Sequence, residues 1–92
     1  MSGRQPRRVV RLPAYEAELR RLRVEVRRAD EAFAGLEQVI ARVPELGMAV
    51  PGHPGWCARP VHTDDGSFLV VYSFDERDVV CRGIRRVPSS TF

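Results

Sequence analysis

The chain has 92 residues, a length that buries only about two-thirds of the unfolded surface and feeds one core, so a second domain is excluded. Hydrophobic residues at 43% and charged residues at 29% are globular proportions, which excludes disorder, and the longest apolar run, Phe68–Tyr72, is far too short to span a bilayer. All 15 basic residues are arginine against 12 acids, for a net charge of +3. Nine of those arginines fall in residues 1–28, against Glu16, Glu18 and Glu25. Clustered positive charge of this kind suits a polyanionic or acidic partner, and a coding bias toward arginine on solvated faces accounts for it equally well.

In chain order, residues 1–6 read as a flexible polar arm, and Arg7–Leu12 as a short strand closed by Pro13. From Ala14 the period changes. Tyr15, Leu19, Leu22 and Val26 form one helical stripe, while Glu18, Arg21, Glu25 and Arg28 take other faces. Asp30 and Glu31 offer an N-cap and first-turn negative charge for a second helix striped by Phe33, Leu36, Ile40 and Val43, which Pro44 halts. Gly35 inside that helix suggests close approach of another element.

Residues 44–56, with three prolines and three glycines, read as an irregular surface loop. Three strands are expected after it: Cys57–Thr63, Phe68–Phe74 and Val79–Arg85, joined by Asp64-Asp65-Gly66 and by residues 75–78. Phe68–Phe74 is apolar on both faces, which makes it central, and Pro60 assigns its strand to an edge or a bulge. The expected fold is a single α+β domain of order β-α-α-β-β-β, a helical hairpin packed on one face of a small, mostly antiparallel sheet. Cys57 and Cys81 then flank a common strand about 9–10 Å apart, too far for a disulfide, and lack metal-site spacing. No metal or cofactor is expected.

A helical pair on one face leaves the other face of the sheet open. Arg59, His62, Tyr72, Arg82, Arg85 and Arg86 are the polar groups on or beside the strands, and their convergence there makes a basic patch with one titratable imidazole. Such a patch suits a phosphodiester: guanidinium groups hold phosphate and stay charged, and an imidazole near neutrality moves a proton. Each residue also has a quieter role. His62 and His53 suit solvated positions, Tyr72 suits core packing with its hydroxyl at the rim, and the arginines suit pairing with turn acids.

Over nearly its whole length the chain resembles the RelE/ParE superfamily of bacterial type II toxins. The likeness runs through Leu12–Glu16 and Glu18–Leu22, the His53-Pro54 loop, the Arg59-x-x-His62 step, Phe68–Tyr72, and a final strand ending in basic residues and Phe92. The loop, the Arg-x-x-His spacing and the terminal Phe are most similar to YafQ-like members. The resemblance implies a cytoplasmic, ribosome-dependent mRNA endoribonuclease that inhibits translation and is neutralised by a cognate antitoxin. It further implies catalytic roles for His62, Arg59, Arg85 and Arg86, and RNA contacts from Arg82, Phe92, His53 and Tyr72. Arg85-Arg86 stands where the family typically has a histidine or lysine-arginine step, and Phe92 where RelE has a catalytic tyrosine. Those departures leave two alternatives open: a ParE-like, non-enzymatic inhibitor of DNA gyrase, and an inactive relative that only binds antitoxin.

Overall fold

A computed structural model of the chain describes residues 5–88. The chain runs β1 (Arg8–Arg11), α1 (Pro13–Glu25), α2 (Ala29–Arg42), a 3-10 turn at Pro44–Leu46, β2 (Met48–Ala49), β3 (Trp56–Thr63), β4 (Gly66–Phe74) and β5 (Asp78–Val87). The sheet order is β1-β5-β4-β3-β2, with β1 parallel to β5 and every other pair antiparallel. The α+β class, the helical hairpin and the central place of Phe68–Phe74 follow the sequence pattern. The two-residue β2 is an addition. It pairs with Ala58 and Cys57 only, so Pro60 falls beyond its end, where β3 is the sheet edge and a missing N–H breaks no ladder.

Proline at the start of α1 presets the first turn. The α1 stripe of Tyr15, Leu19 and Leu22, continued by Val26, meets Phe33, Leu36 and Ile40 of α2 over Val61, Phe68, Val70, Tyr72, Val79, Cys81 and Ile84 of the sheet. Cys57 and Cys81 lie opposite Tyr72 from the two flanking strands, as the strand order predicts, and both are free thiols.

Three local expectations need correction. The N-cap of α2 is Arg28, in the left-handed region at φ 57°, and Asp30 and Glu31 sit inside the first turn. A link of three residues must reverse the chain, and a left-handed residue does that where an Asp cap in extended conformation does not. Gly35 is exposed, with open space where a Cβ would project, so it brings nothing close. The close approach occurs instead at Gly47, where a Cβ would overlap the Tyr72 hydroxyl and the Cys57 Cβ. Finally, the Pro/Gly-rich loop is ordered. Val50-Pro51-Gly52-His53 and His53-Pro54-Gly55-Trp56 are consecutive turns, closed by bonds from His53 N to Val50 O at 3.2 Å and from Trp56 N to His53 O at 3.1 Å. Gly52 and Gly55 take φ of 81° and 83°, the positive values a type II turn demands after proline.

Candidate functional site

Strand alternation decides which side chains reach the open face. On β3, Cys57 and Val61 face the helices and carry Arg59 with them, leaving Trp56, Ala58, Pro60 and His62 on the open side. On β4 the open side holds Ser67, Leu69, Val71 and Ser73. A bulge between Val71 and Tyr72 pairs Val71 with Gly83 and Tyr72 with Cys81, so the alternation of β5 slips by one residue. Ile84 thereby enters the core, Arg86 turns to the helix side, and Arg82 and Arg85 remain on the open side.

The expected convergence of six polar groups on one face is therefore corrected. Arg59 lies on the helix side, its Nε buried without a hydrogen-bond partner. Tyr72 is fully buried and donates its hydroxyl to the Pro44 carbonyl at 2.7 Å. Burial pushes its phenol up to about 12, so it belongs to the core and not to a rim. Arg86 lies over Phe68 at 4.9 Å from the ring centroid and pairs with Glu25 at 3.3 Å. His62 is on the open side, with its Nδ1 2.9 Å from Ser67 Oγ. Six residue steps along β3 nevertheless separate it from Trp56, about 20 Å of strand, and the register puts its Cα about 12 Å from that of Arg85. Phe92 lies outside the described residues.

A smaller group does assemble at the other end of the open face. The tandem turns deliver His53 onto Trp56, ring centroids 4.3 Å apart and planes within 11°. Arg82 places its guanidinium 4.9 Å from the Trp56 centroid while its Nε donates to Ser73 Oγ at 2.9 Å. Beside this stack lies a groove of about 420 Å³, floored by Ala58, Leu69 and Val71, walled by Met48 and Pro51, and bordered by His53, Trp56 and Arg85, with no carboxylate lining it among the described residues. An apolar floor bordered by an indole and the Arg85 guanidinium is chemically suited to a flat ring with an adjacent anion. Reading the sequence missed Trp56 because the strand was started one residue late. The available signal was the repeated Pro-Gly before it, which turns the chain twice and aims residues 53 and 56 at each other.

A second polar cluster escaped notice on the helix side. Glu37 of α2 is buried beneath the hairpin, where it accepts bonds from Arg11 Nε at 3.1 Å and Nη2 at 2.9 Å and from the Tyr15 hydroxyl at 2.7 Å. Burial first, and the Glu37 carboxylate second, drive the Tyr15 phenol far above its ordinary range, while the Glu37 bond raises the Arg11 guanidinium. The cluster joins β1, α1 and α2. Its signal was Glu37 falling on the same helical stripe as Phe33, Leu36 and Ile40. No protein-family model matches the chain, and comparisons with curated proteins and with solved structures found no match.

Proposed function

We propose that this chain is the toxin of a type II toxin–antitoxin pair, in the manner of the RelE/ParE superfamily, and that it arrests translation by gripping mRNA with the open face of its sheet. The observation that carries the proposal is the Trp56 ring in contact with both the His53 imidazole and the Arg82 guanidinium, beside a groove with no carboxylate among its described lining residues. Unpaired bases stack on such aromatic and guanidinium planes, and the phosphates between them seek arginine. The helical hairpin after β1 and the closing antiparallel strands are in keeping with the RelE-like expectation, to which the two-residue β2 is added. Strand cleavage, in which the 2′-oxygen bonds to phosphorus as the bond to the 5′-oxygen breaks, needs a base for the 2′-hydroxyl proton, cations for the phosphorane oxygens and an acid for the departing 5′-oxygen. In this proposal His53 takes the 2′-hydroxyl proton and returns it to the 5′-oxygen, Arg85 at the same groove and Arg82 against Trp56 supply the positive charge, and His62 is a solvated strand end. The cytoplasm, the ribosomal A site and a cognate antitoxin are the expected setting and partners.

The test is induced expression followed by mapping of mRNA ends, with wild type beside Trp56→Ala, Arg85→Ala, His53→Ala and His62→Ala. Wild type arrests growth and cuts translated mRNA; Trp56→Ala and Arg85→Ala lose arrest. His53→Ala loses cutting, and His62→Ala retains both. Arrest with intact mRNA, filamentation and DNA damage transfers the chain to the gyrase-inhibitor class. No arrest and no RNA binding by wild type overturns the proposal.

A further inference from the structure

The groove beside Trp56 has a neighbour on the open face. A second cavity, of about 360 Å³, is lined by Val71, Gly83 and Arg82, with Ala14 and Glu18 of α1 as its outer wall. Trp56, Val71 and Arg85 line both cavities, so an indole, a valine and a guanidinium stand at the boundary between them. Their floors share one row of the sheet: Ala58 pairs with Val71, and Val71 with Gly83. Ala58 and Gly83 are thus two strand spacings apart, about 10 Å.

Gly83 creates the space in the second cavity. A Cβ built on it meets nothing within 4 Å, and its φ is not positive, unlike that of Gly52 or Gly55. The backbone therefore does not require glycine at this position, and glycine weakens a strand interior. What its missing side chain provides is room above the sheet, the circumstance in which a strand glycine lets a ligand approach closely. The charge at this place is uncovered as well. Arg85 is exposed and has no ion-pair partner among the described residues. Arg82 donates to Ser73 Oγ and lies over Trp56, with no acid beside it. Glu18, the one carboxylate lining the second cavity among the described residues, has both oxygens on Arg21, at 2.6 and 2.7 Å.

Two cavities with a cation at their boundary fit two flat rings joined by an anionic linker. Stacked bases lie about 3.4 Å apart, too close to occupy both floors, so the rings must be splayed, as unpaired bases are when each rests on its own platform. We propose that the cavity over Gly83 is a second base-binding subsite. The open face then takes two consecutive unpaired nucleotides, one base in each cavity, with the phosphate that joins them at Arg85. This inference rests on the RNA-binding proposal above and adds to it the size of the recognised unit.

The probes are 2′-O-methyl nucleotides, which lack the hydroxyl needed for cleavage: adenosine 3′,5′-bisphosphate, pAp, and the dinucleotide pApA. The first carries one base and at least as much negative charge as the second, so any preference for pApA reports the added base. Binding to the full chain is read from the fluorescence of Trp56, its one tryptophan, which lines both cavities. Wild type is expected to bind pApA about tenfold more tightly than pAp, within the range that stacking of one base supplies. Gly83→Leu fills the second cavity with a residue that a strand accepts, and it is expected to reduce pApA to the affinity of pAp. Ala14→Leu, at an exposed helix position, narrows the same cavity from its outer wall and is expected to reduce the preference for pApA at least threefold, with urea midpoints confirming that each variant folds. Equal affinity of wild type for pApA and pAp overturns the subsite, as does an undiminished preference for pApA in the folded variants. A 2′-O-methyl oligoadenylate of ten nucleotides separates the two proposals. If wild type binds it yet does not distinguish pApA from pAp, the subsite alone falls; if wild type does not bind it, the RNA-binding proposal falls and the subsite with it.

Discussion

Glu37 shows how one buried acid organises three elements. Its two oxygens take three donors from Arg11 and Tyr15, and deleting it strands the buried Tyr15 phenol and leaves the part-exposed Arg11 guanidinium with Glu16 at 3.7 Å. Removing this acid costs roughly 2 kcal/mol, mainly for the unpaired buried phenol and the weakened guanidinium pairing, whereas losing a single hydroxyl bond costs about 1 kcal/mol. Glu37→Ala is therefore expected to lower the urea midpoint more than Tyr15→Phe, measured by circular dichroism. Cys81, beside this cluster, is fully buried, and burial lifts its thiol to about 12. In native protein at pH 8 it is expected to resist iodoacetamide and to react only after denaturant is added, with site-resolved mass spectrometry as the check. Cys57, half-buried on β3, is the thiol expected to react first.

At the scale of elements, the two informative glycines have opposite signs. Gly35 sits exposed within α2 with open space where a methyl group would go, so Gly35→Ala is expected to raise stability by about 1 kcal/mol through helix propensity alone. Gly47 lies where the chain passes the Tyr72 hydroxyl, and Gly47→Ala is expected to cost about 1–3 kcal/mol as the core is forced to shift. Thermal or chemical unfolding of the two variants side by side checks both signs. Gly35 lies inside α2 and Gly47 just after the 3-10 turn, and what lies across the chain from each is not reported by a local pattern. The helix stripes, the hairpin turns and the edge position of Pro60 were legible because each is a local or periodic preference. The Val71–Tyr72 bulge was not, because it is a property of paired strands. Cys81-Arg82-Gly83-Ile84 hinted at it, with apolar residues three apart where strict alternation wants two.

For the whole molecule, three protonated groups are tied to the packed state. The phenols of Tyr15 and Tyr72 and the thiol of Cys81 titrate ordinarily at 10.0, 10.0 and 9.0, and burial raises all three. Raised values mean that the native state keeps protons the unfolded chain releases, so their stabilisation is complete below pH 9. It declines as pH rises toward 12, by up to about 1.4 kcal/mol per pH unit for each group. Urea midpoints measured from pH 8 to 11.5 are expected to be flat and then to fall. A flat profile to the end would contradict the burial of these groups. The α+β class, the helical hairpin and the closing three-strand meander came from the sequence by itself, because hydrophobic periodicity and turn chemistry act over a few residues and need no partner. Which face each strand residue occupies was decided by the tertiary structure. Arg59, Tyr72 and Arg86 turned toward the helices, and Trp56 joined His53 and Arg82. A single slipped pairing between β4 and β5 reverses the faces of every β5 residue after it, and only the assembled sheet contains that slip.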